Sequence, residues 1–180
     1  MKKVFMIAML LLVGIIFMGI STASACDCNG TGTPGYWKNQ GADDWGVVTE
    51  ICFVGGWGTG PYTGECFTKD EALEIMSGPV RGDKSITMFK AYVAAYLNVM
   101  NGACGSGPDC EHWFYGDINL AEAVNWLELY GVETDIRART EPWQYSHGEA
   151  IYFCLDDYNN GLQPGSPSRD TTEDGTICLD

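Results

Sequence analysis

Eight cysteines and a formal net charge of −14 in 180 residues, from 24 acidic side chains against 10 Lys and Arg, bound the function before any motif is read. Phosphate binding needs concentrated Lys and Arg, so this balance argues against a nucleic-acid partner, and repulsion argues equally against an anionic membrane surface. What remains is a solvated acidic coat, or a set of oxygen ligands for a hard cation such as Ca²⁺.

The chain opens with Met1-Lys2-Lys3, an uncharged apolar run from Val4 to Ile20, and small residues at Ala23 and Ala25. That order predicts a secretory signal peptide over 1–25, a single globular domain over 26–165 and an acidic C-terminal tail over 166–180. The apolar run reaches the lower limit of a bilayer span, which makes an uncleaved anchor the rival reading. A lipoprotein would need a Leu-like residue where Ala23 stands.

All eight cysteines (Cys26, Cys28, Cys52, Cys66, Cys104, Cys110, Cys154 and Cys178) follow the leader. An even number in an oxidising compartment predicts disulfides. Proximity favours Cys52 with Cys66 and Cys104 with Cys110. The other four are left unassigned, with Cys178 pinning the tail.

Thr33-Pro34 is a helix start, an N-cap followed by Pro in the first turn, and the short helix it opens carries Tyr36, Trp37 and Gln40. The β-branched run VVTEICF from Val47 to Phe53, and the glycine-rich stretch leading to Cys66-Phe67, predict a hairpin closed by the Cys52–Cys66 bridge. Thr68 and Glu71 form a capping box that opens a helix ending at Ser77-Gly78-Pro79. From Lys84 to Asn101, Ile86, Phe89, Val93, Leu97 and Met100 recur at helical spacing. Ala91, Ala94 and Ala95 leave room for a second helix, and Gly102 supplies the C-terminal stop. A further helix is predicted from Asn119 to Tyr130 with Leu120, Val124 and Leu127 inward. Another starts at the apparent capping box Ser146/Glu149, carries Ile151, Cys154, Leu155 and Tyr158 on one stripe, and ends at Asn160-Gly161. The fold class is therefore mainly α with a small β-hairpin, a compact helical domain stapled by disulfides.

Three fragments in order, TPGYWKNQ (Thr33 to Gln40), AYLNVMNGA (Ala95 to Ala103) and LDDYNNG (Leu155 to Gly161), give the chain a resemblance to a domain of exported bacterial and archaeal proteins. Its hallmarks are a GYWKNHP-like start, a central LN-x-x-NGA helix end and a closing YNNG-x-x-GPG. The resemblance implies a domain of unknown function on surface and matrix proteins, and it brings no catalytic residues with it. Here Gln40-Gly41 stands where the family has His-Pro, and Gln163-Pro164-Gly165 is followed by Ser166 rather than a nearby cysteine.

As a binding site, TPGYWKNQ offers Tyr36 and Trp37 as stacking faces for a sugar, with Lys38 and Asn39 as hydrogen-bond donors. As scaffold, it is a capped turn whose aromatics fill the core. Scaffold comes first in this reading and binding second. Trp57 in the glycine-rich stretch and Tyr158, Asn159 and Asn160 are the other binding candidates, although Asn-Gly also terminates a helix for backbone reasons alone.

Catalytic motifs are missing from the sequence, whose only histidines are His112 and His147. Cys104, Cys110 and His112 could be drawn as metal ligands, but their spacing matches no standard zinc pattern and disulfides are the better reading. Asp170, Thr172 and Asp174 with Gly175 resemble part of a calcium loop that lacks its twelfth-position Glu. The expectation is a non-enzymatic secreted or cell-surface structural and interaction protein without a cofactor, Ca²⁺ being the one candidate. Its partners would be a surface protein, a glycan or a second copy of itself. A carbohydrate-binding module using exposed Trp and Tyr is the alternative, and calcium-dependent surface assembly or adhesion the second.

Overall fold

The computed structural model describes residues 31–39, 45–103, 107–108, 110–112 and 116–163. The predicted leader, Cys26, Cys28, Cys104, Cys178, the acidic tail and the calcium candidates Asp170, Thr172 and Asp174 lie outside them.

In chain order the elements are α1 (Pro34–Lys38), β1 (Glu50–Cys52), β2 (Cys66–Thr68), α2 (Lys69–Ser77), α3 (Lys84–Met100), β3 (Cys110–His112), β4 (Gly116–Ile118), α4 (Leu120–Tyr130), α5 (Glu141–Gln144) and α6 (Gly148–Asn159). The mainly helical class holds. The strands form two separate antiparallel ribbons, β1 with β2 and β3 with β4, where the sequence predicted one. Among the described residues, no helix is long and apolar enough to cross a membrane.

Helix α3 is the central element, packed most extensively against α6 and α4. Its Ala91, Ala94 and Ala95 are buried, the small side chains that allow close helix approach, and Phe89, Val93 and Leu97 fill the core beside them. Met100 lies outside the core and is half-exposed, because the helix ends there in a turn. At that end Gly102 takes φ +75, with Gly102 N–H donating to Val99 O and Ala103 N–H to Asn98 O, the paired bonds of a Schellman stop. Helix α6 ends the same way, with Gly161 at φ +66 and bonds to Tyr158 O and Asp157 O.

The predicted capping box of α2 is present in both directions, Thr68 Oγ1 accepting from Glu71 N–H and Glu71 Oε2 accepting from Thr68 N–H. That of α6 is not. The helix starts at Gly148, His147 before it sits in the left-handed region at φ +64, and Ser146 instead donates its hydroxyl to Glu141 Oε1. Helix α5 places Glu141 beside Ser146, and this contact replaces the expected cap.

The Cys52–Cys66 disulfide forms as predicted and joins two residues that face each other across the first ribbon. Phe53 and Phe67 anchor that ribbon on α3, their rings 6.2 and 5.0 Å from Phe89. The Cys104–Cys110 pairing is corrected, since Cys110 is bonded to Cys154. Packing of α6 against the core brings Cys154 to the start of β3, a proximity that sequence separation hides. Cys110 is therefore unavailable as the thiolate of a metal site with Cys104 and His112.

Candidate functional site

Asn98 and Asn159 organise the interior. Asn98 Oδ1 accepts from Gly32 N–H at 2.6 Å and from Trp37 Nε1–H at 2.8 Å, while its Nδ2 donates to Gly32 O and to Asn159 Oδ1. Asn159 Nδ2 in turn donates to Ala91 O. Both amides are buried, and Trp37 and Tyr158 are 1% exposed. The opening stretch, the end of α3 and the end of α6 thus meet in one buried hydrogen-bonded network. Trp37, Tyr158 and Asn159 are taken out of the binding candidates by this burial, because a ligand has no face of them to touch. Tyr36 is half-buried and packs edge-on against Trp37, and Lys38 is half-buried. Asn39 is exposed, but its backbone caps α1, and Asn160 Nδ2 donates to Asp156 O at the end of α6.

Trp57 is different, being 75% exposed. The loop that carries it lies down on α4 through three bonds. Trp57 N–H donates to Asn125 Oδ1, Gly58 N–H to Glu128 Oε2 at 3.0 Å, and Tyr62 N–H to Glu128 O at 3.0 Å. Approach this close needs glycine. A Cβ at Gly56 would stand 2.7 Å from Glu128 Oε2, and one at Gly60 would overlap the Glu128 carbonyl. Asn125 and Glu128, both buried polar side chains, are therefore the seat of the loop.

Between this loop and the turn before α6 runs an open cleft of about 330 Å³. Its wall is one face of α4, made by Glu122, Asn125, Trp126, Leu129 and Tyr130 at steps of three and four residues. Trp57 and Thr59 border it from the loop, and Tyr145, Ser146, His147 and Ile151 from the other side. Trp126 and Tyr130 lie 5.0 Å apart, and Trp126 is fixed by donating its indole N–H to Pro142 O at 2.9 Å. Tyr145 is 69% exposed. Gly148 lets α6 start against the Trp126 indole, where a Cβ would come within 2.7 Å of Nε1.

Of the predicted binding residues only Trp57 borders this cleft. The remaining lining residues come largely from a second side of α4. Val124 and Leu127 reach the core as predicted, Trp126 is buried with them and Leu120 is half-buried, while Glu122, Leu129 and Tyr130 make the cleft side. That series was visible in the sequence; the contribution of Tyr145 and His147 from a later turn was not.

A larger cavity of about 700 Å³ lies beside the start of α3, and Asp83, Asp135 and Arg137 in its lining are engaged by the fold itself. Asp83 caps α3 by accepting from Ser85 N–H, and its carboxylate also holds the 131–137 loop through Asp135 and Ile136 N–H. Arg137 donates to Arg81 O at 2.8 Å and pairs with Asp135. The one cluster of metal-ligating side chains among the described residues, Glu50 with Cys52 and Cys66, has both sulfurs tied up in the disulfide.

No protein-family model, curated protein or solved structure matches the chain. The geometry of the cleft is therefore the ground for a functional reading.

Proposed function

We propose that this protein is a non-catalytic interaction module of the cell surface or extracellular matrix, and that the aromatic cleft is its recognition surface. The observation that carries the reading is Trp57, a large indole held out in solvent by a loop whose backbone is bonded to buried side chains of α4. An exposed aromatic on a mobile loop would be unremarkable, whereas one set on a rigid seat beside a concave aromatic wall is preorganised for contact. The two disulfides among the described residues suit an oxidising compartment. Export by the N-terminal segment and the resemblance to surface-protein domains belong to the same proposal.

The test is oxidative footprinting of the oxidised protein, read by mass spectrometry, with and without envelope fragments of the producing cells. Trp57 and Tyr145 should lose reactivity when the fragments are present, while the buried Trp37, Trp45 and Trp143 stay unreactive throughout. Unchanged labelling of Trp57 and Tyr145 would overturn the assignment.

A further inference from the structure

We infer that the cleft is a subsite for an uncharged pyranose of a glycan chain, an inference that rests on the reading of the cleft as the recognition surface. A pyranose presents two kinds of surface: faces lined by C–H groups, which pack on aromatic rings, and an edge of hydroxyls that need both donors and acceptors. The cleft supplies both. Trp57 and Tyr145 expose ring surface on two different elements, and half-buried Tyr130 adds a ring edge on the wall between, backed by the buried Trp126 indole. Glu122 offers a carboxylate acceptor, Ser146 an acceptor oxygen whose proton goes to Glu141, and Thr59 a hydroxyl that can act either way.

Asn125 is the most informative of the polar groups. It is 6% exposed, its Oδ1 is taken by the Trp57 backbone, and its Nδ2 has no partner among the described residues. That donor atom is enclosed behind the cleft wall, so it reaches a ligand hydroxyl through a bridging water rather than by direct contact.

Charge narrows the class of sugar. No Lys or Arg lines the cleft, Glu122 does, and the chain as a whole carries −14. Uronate, sulfate or phosphate on the ligand would meet repulsion with no cation to offset it. A quaternary ammonium would be the other ligand for an acidic aromatic site, through cation–π contacts. It needs rings converging on a single point, whereas here the exposed rings stand on separate elements and hydroxyl-type partners lie between.

The envelope fragments used for footprinting are treated in parallel with periodate, which cleaves vicinal diols, and with proteinase K. Binding is followed by titration calorimetry with cellotetraose, laminaritetraose and mannotetraose, and with tetragalacturonate and choline as charged probes. Expected are loss of Trp57 protection after periodate, its survival after proteinase K, and saturable binding of a neutral tetrasaccharide that weakens at least tenfold in Trp57→Ala and partly recovers in Trp57→Phe. Loss of protection by periodate with none of the three tetrasaccharides binding still supports a glycan, of another linkage. Protection abolished by proteinase K and untouched by periodate overturns the glycan and leaves the cleft as a protein-binding surface. Tighter binding of tetragalacturonate or choline than of any neutral probe overturns the charge argument. If untreated envelope gives no protection and no neutral probe binds, the recognition reading and the inference fall together.

Discussion

Asn98 Nδ2 donates to Asn159 Oδ1 across 2.8 Å, joining the end of α3 to the end of α6 at a point that solvent does not reach. Two asparagines 61 residues apart so fix the register of the two longest helices among the described residues, and the Trp37 indole closes the same network from α1. An apolar pair would pack these helices without choosing one alignment. Paired amides tolerate only the alignment in which every donor meets an acceptor.

The first prediction concerns that network. Asn98→Ala leaves Gly32 N–H, Trp37 Nε1–H and Asn159 Oδ1 without partners in the interior. Each buried orphan costs about 1–3 kcal/mol, so the expected loss is at least ~3 kcal/mol, measured by urea unfolding. Asn98→Asp keeps the acceptor but sets a carboxylate against Gly32 O and Asn159 Oδ1, and it should be at least as damaging. A loss below 1 kcal/mol in both variants would show that the network is dispensable.

Signals confined to one helix turn were legible in the sequence: the Thr68/Glu71 box, the periodicity of α3, and the glycines at 102 and 161 all appear where expected. Local hydrogen bonding settles each of these. What failed depended on a third element. Ser146 and Glu149 match a capping box, but Ser146 is claimed by Glu141 of α5. Cys104 and Cys110 are near in sequence, yet Cys110 meets Cys154 because α6 packs beside the second ribbon. The candidate site fared similarly. Trp37 and Trp57 are alike as residues, and only the docking of their segments makes one core and the other surface.

The second prediction is a pH dependence above neutrality. Burial pushes the Tyr158 phenol up to about 12 from its ordinary 10.0, and its hydroxyl has no partner among the described residues. Between those two values the unfolded chain has released this proton and the folded chain still holds it. The contribution is therefore intact below pH 10 and is lost as pH rises toward 12, on the order of 2 kcal/mol in all. Tyr92, also raised by burial, adds to the slope. Tyr158→Phe should be as stable as the parent at pH 7 or up to about 1 kcal/mol more stable, with a shallower decline above pH 10. Urea titrations at pH 7, 10 and 11 decide the matter; destabilisation of more than 2 kcal/mol at pH 7 would mean the hydroxyl has a partner.

The two disulfides among the described residues should differ in worth. Cys52 and Cys66 are 14 residues apart in sequence and Cys110 and Cys154 are 44 apart. In the chain-entropy model, loops of these lengths restrict the unfolded state by roughly 3 and roughly 4 kcal/mol. The Cys110→Ala/Cys154→Ala double variant should therefore melt below the Cys52→Ala/Cys66→Ala variant by calorimetry. It also removes both sulfurs near the Gln163 amide, although the bond from Gln163 Nε2 to Cys154 O can persist. The reverse order of melting would place the greater stabilisation in the first ribbon.

The last prediction tests the seat of Trp57. A Cβ at Gly60 would overlap the Glu128 carbonyl, which is backbone of α4 and has no rotamer with which to withdraw. Gly60→Ala must therefore lift the loop, releasing Tyr62 N–H from Glu128 O and disturbing the Trp57 and Gly58 bonds on either side of the turn. Three bonds at about 1 kcal/mol each set the expected loss at roughly 2–4 kcal/mol for full undocking. Gly55→Ala is the comparison: its φ of +94 imposes backbone strain, but no atom lies within 4 Å of the added carbon, so α4 stays covered. Hydrogen exchange separates the two. In Gly60→Ala the amides of Trp57, Gly58 and Tyr62 should exchange much faster while those of α3 keep their protection; in Gly55→Ala the Tyr62 amide should stay slow. Equal protection of Tyr62 in both variants would mean that the loop does not depend on close approach to α4, and Trp57 would lose its claim to a preorganised position.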